Sequence, residues 1–340
     1  MFLLRSVTIA DIDELLDLSK LMVFINLPND RSLIKKKVEA SVKTFNSPSK
    51  NLEENHYIFV LEDLEHGKII GASMIHGKHG TSEEPHFYLT VSREHKFSKT
   101  INTGFIHGTL KLGVETNGWS EIGGLVLNPS FRGHAEKLGK QISYTRFLYM
   151  GLFPEQFTHY IHSELLPPFD SKGDSPLWEA IGRRFMNMNY QDADLLSRQN
   201  KEFILSLYPR DTIYETLLPP EARNSIGKVG QATQPVKKML EKIGFHYTEE
   251  VDPFDGGPHY RARLKDIKPI KNMHRGIINR KEAFSPDFAE GILLKVPHAA
   301  GEFKAVKTNA VIKDGQFILP QEVCERFNLI DGQSAEAINI

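Results

Sequence analysis

The sequence is poor in the features that mark secreted and membrane proteins. It contains one cysteine, Cys324, among 340 residues, which excludes an internal disulfide and a cysteine-rich metal site and fits a reducing compartment. No apolar run approaches the roughly 20 residues that span a bilayer. The opening segment MFLLRSVTIADIDELL places an arginine and two aspartates where a signal peptide would be apolar. We therefore expect a cytoplasmic protein without membrane spans.

Charge of either sign is also not in excess. Lysine and arginine number 42, and aspartate and glutamate number 43, which gives a formal net charge of -1. A nucleic-acid coat or a general membrane-surface binder would carry a basic excess. The balance therefore favours a small-molecule partner over nucleic acid or a membrane. The length allows a large core and suggests about two domains.

The hydrophobic pattern predicts a mixture of strands and helices in the first half of the chain. FLLR reads as a strand, and two amphipathic helices follow, TIADIDELLDLSKL and DRSLIKKKVEASVKTF, separated by an NLPN turn. HYIFVLED and KIIGASMIHG form a predicted hairpin. Further predicted strands are HFYLTVSRE, SEIGGLVLNP, which we expect to be buried on both faces, and HYIHSELL. This order predicts an α+β fold with a central mixed sheet flanked by helices.

The second half of the sequence predicts further helices, followed by a region with a different hydrophobic pattern. SPLWEAIGRRFM begins with a serine cap and a proline, as helices often do. It would turn four apolar side chains toward a core: Leu177, Trp178, Ile181 and Phe185. KEFILSLYP and TQPVKKMLEKIGF also read as helices, the second closed by Gly244. From about residue 273 short β-like pieces dominate. We therefore expect a domain of residues 1–272 and a small, mostly β C-terminal domain of residues 273–340.

One turn combines glycines with basic residues. The stretch GGLVLNPSFRGHAEKLGKQISYTRF, residues 123–147, runs from an apolar strand through this turn into a helical pattern. The first amides of a helix lack intrahelical partners and carry a partial positive charge, which suits a phosphate. Gly133 and Gly139 permit close backbone approach, and Arg132 and Lys140 add positive charge. The alternative is an ordinary strand-to-helix connection whose basic side chains are solvated.

The order of these motifs resembles the acyl-CoA N-acyltransferase (GNAT) superfamily. The segments that carry the resemblance are LLRSVTIADIDELL, YIFVLEDLEHGKIIGASMI and LVLNPSFRG followed by LGKQIS. In that superfamily a glycine-containing turn after the fourth strand holds the CoA pyrophosphate. A closer resemblance, over most of residues 1–270, is to the arginine N-succinyltransferase family. It rests on NLPND, FVLED, SPLWEAIGRRFMNMNYQDAD, IGKVGQATQP, LEKIGF and DPFDGGPHYRARL.

The resemblance implies transfer of a succinyl group from succinyl-CoA to the α-amine of L-arginine, a step in arginine catabolism. It also implies a homo- or hetero-oligomer. The family's leucine that contacts succinyl-CoA corresponds to Leu125, and we expect the backbone of Leu125, Val126 and Leu127 to contact the pantetheine and the thioester carbonyl. The CoA pyrophosphate would then be held by three residues of the turn and the helix start: Arg132, Gly139 and Lys140.

The chain departs from the family pattern at several site positions. Gly230 stands where the family's I-G-x-V-H segment has its proton-donor histidine. Either water or another group then protonates the leaving thiolate, or the chain does not run the family's reaction. The family's glycine-rich loop is replaced by the shorter, apolar LMVFINLP, and its E-M-R-G reads Glu164-Leu165-Leu166-Pro167, without the arginine. The pyrophosphate turn is longer and has Lys137 where its first glycine would be.

Two carboxylates are candidates for roles in the reaction. Glu164, at the end of a predicted buried strand, is a candidate general base acting through water, since apolar surroundings raise the proton affinity of a carboxylate. Its alternative role is structural, as a carboxylate that accepts hydrogen bonds from a loop. Asp255, in FDGGP, is a candidate for binding the cationic end of the arginine substrate. Its alternative role is to accept the N–H groups of the turn.

Histidine is plentiful, with 14 residues. The pairs His76/His79 and His159/His162 have no accompanying ligands at zinc-site spacing, so we expect no metal site. His134, within the turn, is either a phosphate contact or a solvated loop residue.

Three functions from different classes therefore stay open. The first is a succinyl-CoA-dependent arginine N-succinyltransferase, which the motif order favours. The second is a CoA-dependent acyltransferase with another amine or acyl group. The third is a non-catalytic acyl-CoA-binding homologue or partner subunit, which Gly230 favours.

Overall fold

A computed structural model describes residues 1–21, 29–197 and 199–340 of the chain. The NLPN turn and the apolar LMVFINLP segment expected near residues 21–29 fall largely outside the described residues. The strands are β1 (Phe2–Ser6), β2 (His56–Asp63), β3 (Lys68–His76), β4 (His86–Ser98), β5 (Thr103–Glu115), β6 (Ser120–Leu127), β7 (Tyr160–Glu164), β8 (Ile213–Tyr214), β9 (His246–Val251), β10 (Pro258–Arg263), β11 (His274–Ile278), β12 (Glu290–Lys295), β13 (Lys304–Lys313), β14 (Gln316–Ile318) and β15 (Ser334–Asn339).

Helices alternate with these strands, so the predicted α+β class is confirmed. Their bounds are α1 (Ile12–Lys20), α2 (Arg31–Asn46), α3 (Leu138–Leu152), α4 (Pro176–Ala180), α5 (Gly182–Met186), α6 (Tyr190–Ser197), α7 (Glu202–Leu207), α8 (Pro220–Ser225), α9 (Gln234–Ile243), α10 (Lys268–Lys271) and α11 (Gln321–Arg326). Among the described residues, none of these helices combines the length and the apolar character needed to cross a bilayer.

The chain divides into two compact units. Unit one comprises residues 1–78, 120–159 and 263–340, and unit two comprises residues 79–119 and 160–262. The C-terminal region is rich in strands, as expected, but it groups with the N-terminal residues in unit one. A separate domain of residues 273–340 therefore stays a prediction.

Unit one is organised around a sheet with the order β12-β15-β11-β14-β13-β1-β2-β3-β6. β1 joins its N-terminal and C-terminal parts, because Leu4 pairs with Ala305 on β13 and with Leu61 on β2. The sheet is mixed, since β11 and β14 pair in parallel while their neighbours pair antiparallel. β2 and β3 form the predicted hairpin.

Helices α1 and α2 cover part of this sheet with apolar side chains. Leu15 and Leu18 of α1 and Ile34 and Val38 of α2 share one core with strand residues such as Val60. The side chain of Asp30 caps α2 by accepting the N–H groups of Ser32 and Leu33. Amphipathic periodicity thus positions both helices as the sequence predicted.

Unit two contains a second run of strands with the order β7-β10-β9-β4-β5-β8. Its core surrounds Trp178, which is fully buried, stacks on Phe254 at 4.8 Å between ring centroids and donates its Nε1–H to the Met188 carbonyl at 2.9 Å. The predicted helix SPLWEAIGRRFM is interrupted at Ile181 and forms α4 and α5. Phe185 is 54% exposed, so its expected place in the core is wrong, because the break changes the face that α5 presents.

Two strand predictions also need correction. β6 is not buried on both faces, because buried and half-buried residues alternate along it. β5 was not expected, since its sequence TGFIHGTLKLGVE mixes glycines with exposed apolar residues. It pairs with β4 along its whole length to form a long hairpin.

Candidate functional site

A β-bulge lies in β6 at the residues expected to contact the acyl donor. Between the pairs Ala72–Val126 and Met74–Gly123, β3 advances by two residues while β6 advances by three. The extra residue is accommodated by Gly124, whose φ of 54° is one that glycine adopts readily. A bulge takes backbone groups out of the ladder and re-aims the neighbouring residue, which here is Leu125. Val126 is buried, and Leu125 and Leu127 are half-buried.

The turn after β6 leads into an uncapped helix. Lys137 occupies the N-cap position of α3 with a left-handed φ of 55°, and its side chain makes no capping hydrogen bond. The amides of Leu138 and Gly139 lie in the first turn, where N–H groups have no intrahelical partner. Asn128 orders the start of the turn by accepting the Ser130 N–H at 3.0 Å. The N-terminal end of α3 therefore has the partial positive charge and the N–H donors that bind an anion.

The basic residues of the turn lie beside this helix end. Arg132 is exposed, and Lys140 lies over the Tyr144 ring at 4.8 Å from its centroid. His134 is exposed and its ring meets the Phe2 ring edge-on. All six predicted CoA-binding residues thus lie in one continuous stretch of unit one, which we name the strand-to-helix segment (residues 125–140).

Glu164 lies elsewhere, in unit two, among three buried histidines. Its Oε1 is 3.5 Å from His86 Nδ1, 3.5 Å from His162 Nε2 and 3.9 Å from His259 Nε2. His162 and Glu164 are two residues apart on β7 and therefore share a face, while His86 begins β4 and His259 lies on β10. We name these four residues the histidine–glutamate cluster. Its histidines are at most 3% exposed, and the Glu164 side chain is 34% exposed.

Several nitrogens of the cluster lack a hydrogen-bond partner among the described residues. They are His86 Nε2, His162 Nε2 and both ring nitrogens of His259. His86 Nδ1 also lies 3.1 Å from His79 Nε2. A buried polar atom without a hydrogen-bond partner costs about 1–3 kcal/mol of folding free energy. These nitrogens therefore lower the stability of the folded chain.

The environment sets the charge of the cluster. Burial alone would raise the pKa of the Glu164 carboxyl, but the contact with His162 and the proximity of His259 and His86 outweigh it and hold that pKa well below its usual range. The raised proton affinity expected for Glu164 is therefore not found. Burial lowers the pKa of His162 to about 4 and the pKa of His86 well below its usual value. At neutral pH the cluster combines one carboxylate with neutral imidazoles at these two positions.

An ion pair flanks the cluster. Arg261 pairs with Glu250, and its guanidinium carbon lies 3.4 Å from the centroid of the Trp119 ring. Arg261 Nε also donates to His162 Nδ1 at 3.3 Å. Because that nitrogen accepts, the proton of neutral His162 is on Nε2, which faces Glu164.

Asp255 orders a turn rather than facing open solvent. It is 6% exposed, and its Oδ1 accepts the Gly257 N–H at 2.7 Å. Burial and the nearby Asp252 raise its pKa well above the usual range. These contacts match the turn-ordering alternative, and a role in binding the arginine side chain stays a prediction.

Gly230 packs against the segment that follows Glu164. Its N–H donates to the Leu166 carbonyl at 2.9 Å. A Cβ at this position would lie 2.7 Å from the Pro167 carbonyl oxygen, closer than side chains normally approach. The position of the family's histidine is therefore occupied here by closely packed backbone.

Two residues of the histidine–glutamate cluster, His86 and His259, were not named from the sequence, and His162 was named only in a pair with His159. The expectation of no metal site rested on histidines close together in sequence, whereas the cluster combines histidines from three strands. The spacing of His162 and Glu164 was an available signal, because alternate residues of a strand share a face. The expected absence of a metal site is not tested by the structure, and the spacing of histidines in the sequence no longer supports it.

Comparisons with known proteins place the chain among acyltransferases. The family described as arginine N-succinyltransferase beta subunit matches residues 2–269. Arginine N-succinyltransferase of Yersinia pseudotuberculosis serotype O:3 (strain YPIII) is 30% identical over 320 residues, which cover 93% of this chain and 90% of the relative. The enzyme of the same name from Escherichia coli O6:K15:H31 (strain 536 / UPEC) is 32% identical over 274 residues, covering 80% of this chain and 78% of the relative.

A solved structure agrees with these matches. Arginine/ornithine succinyltransferase subunit AI from Pseudomonas aeruginosa superposes with a TM-score of 0.84 at 26% identity, covering 100% of this chain and 98% of that chain. The similarity extends over both units and includes the strand-rich C-terminal region.

Proposed function

The chain belongs to the arginine N-succinyltransferase family and is a GNAT-like acyltransferase, and on that premise we propose that it transfers a succinyl group from succinyl-CoA to the α-amine of L-arginine. The observation that carries the proposal is the bulged β6 followed by the uncapped N-terminus of α3. Both features lie within the residues that match the family.

The acyl donor is assigned to the strand-to-helix segment. The amides of Leu138 and Gly139, with Arg132 and Lys140, supply donors and positive charge for the CoA pyrophosphate. A Cβ at Gly139 would meet only Leu127 Cδ2, at 3.8 Å. Neighbouring protein atoms therefore do not require a glycine at position 139. The absence of a side chain lets a ligand approach the backbone there.

The thioester carbonyl is assigned to the bulge at Gly124 and Leu125. Attack of a neutral amine on a thioester builds negative charge on the carbonyl oxygen before the thiolate leaves. Backbone N–H groups released from the ladder by a bulge are fixed donors for that charge. Leu125, Val126 and Leu127 thus hold the reacting end of succinyl-CoA, as the family resemblance implies.

Proton transfer differs from the family pattern. Glycine at position 230 supplies no proton, so the thiolate is protonated by water or by another group. Glu164 is the candidate base expected from the sequence, but its low pKa makes its carboxylate a weak one. Asp255 is the candidate for the arginine side chain, with the turn-ordering contact as its alternative role.

We also propose that the protein assembles through the tip of the β4–β5 hairpin. Four side chains there are more than half exposed: Phe97 at 57%, Ile101 at 67%, Phe105 at 56% and Ile106 at 66%. A two-stranded hairpin is marginally stable alone, and exposed apolar patches mark interaction sites. A second copy of this chain offers a matching apolar tip. A cytoplasmic location remains the prediction made from the sequence.

Free-thiol release from succinyl-CoA in the presence of a panel of amines tests the reaction. We expect release that depends on L-arginine. Release with a different amine would instead support the acyltransferase with another acceptor, and CoA binding without turnover would support the non-catalytic homologue.

Gly230→His and Gly230→Ala form a matched pair for the missing imidazole. Both add a Cβ that meets the Pro167 carbonyl, so their ratio isolates the ring from the steric effect. A general acid contributes about 10²- to 10⁴-fold. A ratio of at least about 10² in favour of histidine would show that the position still serves the leaving group, and equal rates would show that it does not.

A further inference from the structure

We propose that the histidine–glutamate cluster of unit two is a binding site for a divalent transition-metal ion, with Zn²⁺ as the probe. His86, His162, His259 and Glu164 each offer one ligand atom, and these atoms all lie within 4.8 Å of one another. Its four residues belong to unit two, and the strand-to-helix segment belongs to unit one. It does not depend on the acyl-transfer proposal.

The geometry fits a small cation bound by nitrogen and oxygen. Ligands at about 2.0–2.1 Å from a tetrahedral ion lie about 3.3 Å from one another. The separations of Glu164 Oε1 from His86, His162 and His259 are 3.5, 3.5 and 3.9 Å. These three separations exceed the tetrahedral spacing by about 0.2–0.6 Å.

The unsatisfied nitrogens point to a missing ligand. His259 is fully buried, and neither of its ring nitrogens has a hydrogen-bond partner among the described residues, with Nδ1 3.9 Å from Glu250 Oε2. Core histidines are ordinarily hydrogen-bonded. A bound cation would satisfy His162 Nε2 and His259 Nε2, the two unsatisfied nitrogens that face Glu164, and the carboxylate would offset part of its charge.

The chemistry of the ligand set selects the class of ion. Imidazole nitrogens suit Zn²⁺, Cu²⁺, Fe²⁺ and Ni²⁺, whereas Mg²⁺ and Ca²⁺ prefer oxygen ligands. The partly exposed Glu164 side chain leaves a route for the ion to enter.

Two contacts must change when the ion binds. Arg261 Nε donates to His162 Nδ1 at 3.3 Å, which leaves the His162 proton on the nitrogen that faces Glu164. Ligation through that nitrogen moves the proton to Nδ1, so the Arg261 contact lengthens. Arg261 keeps its pairing with Glu250 and its place over Trp119. His86 Nδ1, which lies 3.1 Å from His79 Nε2, likewise exchanges that contact for the ion, so the rearrangement is confined to two hydrogen bonds.

Calorimetric titration of tag-free, chelator-treated full-length protein with ZnCl₂ tests the site. We expect about one equivalent of tight binding, and Co²⁺ in place of Zn²⁺ should give the visible absorption of a low-coordinate site. Second-shell changes at zinc sites cost about 10- to 100-fold in affinity. We therefore expect His259→Gln and Glu164→Gln, which remove direct ligands, to weaken binding by at least about 100-fold.

The matched control is His66→Gln. His66, Asp63 and Glu65 form the other group of potential ligands found among the described residues, but two of its three members are exposed. We expect this variant to bind Zn²⁺ as the native protein does. Loss of Zn²⁺ binding in His66→Gln but not in His259→Gln would overturn the proposal.

Thermal unfolding covers the possibility that a variant misfolds. Zn²⁺ should raise the Tm of the native protein, since an ion that binds only the folded state stabilises it, and should leave the Tm of Glu164→Gln nearly unchanged. His259→Met replaces a ring that lacks partners with an apolar side chain. If Zn²⁺ does not shift the native Tm while His259→Met raises it, the cluster is a metal-free group of buried histidines and the proposal is wrong.

Discussion

The strand-to-helix segment of unit one and the histidine–glutamate cluster of unit two differ in how far apart their residues lie in the chain. The segment is one stretch from Leu125 to Lys140, and its geometry comes from a bulge, a turn and a helix start that follow in order. The cluster combines residues from position 86 to position 259 on three strands. A site of the first kind is visible as a motif, whereas the second exists only once the strands are paired.

The largest expected effect comes from the core that supports the cluster. Trp178→Ala should lower the free energy of unfolding by about 3–5 kcal/mol, because it removes a fully buried indole and leaves a cavity. Phe254, on which the indole stacks, lies in the turn that leads into β10 and His259. Chemical denaturation measures the loss of unfolding free energy. We expect Zn²⁺ affinity to fall more than CoA affinity.

Trp178→Phe is the control for this change. It keeps an aromatic ring beside Phe254, loses the hydrogen bond to Met188 and leaves a much smaller cavity than alanine does. We expect a loss of about 1–3 kcal/mol. Equal losses in the two variants would show that the cavity is not the cause.

The next effect tests the charge at the turn. Arg132→Ala should weaken CoA binding by about 10- to 100-fold, the range for losing a hydrogen bond to a charged group. Arg31→Ala removes an arginine of α2 that pairs with Asp13 at the surface and should leave CoA affinity unchanged. Calorimetry at two salt concentrations measures both. Equal affinity of the two variants would place the pyrophosphate away from Arg132.

A smaller effect tests the bulge. Gly124→Ala forces a residue with a Cβ to adopt φ 54° and puts that atom 2.8 Å from Met74. Gly67→Ala has a similar φ of 60° but no neighbour within 4 Å. We expect each to cost about 1–2 kcal/mol of stability from the left-handed backbone, and only Gly124→Ala to weaken succinyl-CoA binding. Denaturation midpoints and titration measure the two effects separately.

The smallest expected effect on stability comes from the hairpin tip. Ile106→Glu and Phe105→Glu change exposed side chains, so the free energy of unfolding should move by no more than about 0.5 kcal/mol. Light scattering should nevertheless show a lower mass than for the native protein. An unchanged mass would exclude this tip as the contact between copies.

Most of the fold followed from local pattern. The β2–β3 hairpin, the closure of α9 at Gly244 and the strand-to-helix order around Arg132 need only alternation, caps and turn residues. β5 was not predicted because its glycines and exposed apolar residues match neither the period of a strand nor that of a helix. Phe185 was misplaced because the helix break at Ile181 was not predicted, although Gly182, a weak helix former, directly follows it.

The candidate site was predictable only where it is continuous in sequence. Arg132, Gly139 and Lys140 were named from the strand-to-helix motif. Leu125, Val126 and Leu127 were named from the family resemblance, and Gly230 from its departure from the family. Glu164 was named as well, but its low pKa depends on three histidines that the fold brings to it. No window of sequence contains that information, since strand pairing determines which side chains meet.

We propose that residues 125–140 hold the CoA thioester through their backbone amides. Hydrogen–deuterium exchange with and without succinyl-CoA, run beside a calorimetric titration, measures the protection of those amides. The account predicts a heat of binding and slower exchange concentrated at the β6 bulge and the first turn of α3. Binding without any protection in those residues, or no heat of binding at all, would contradict it.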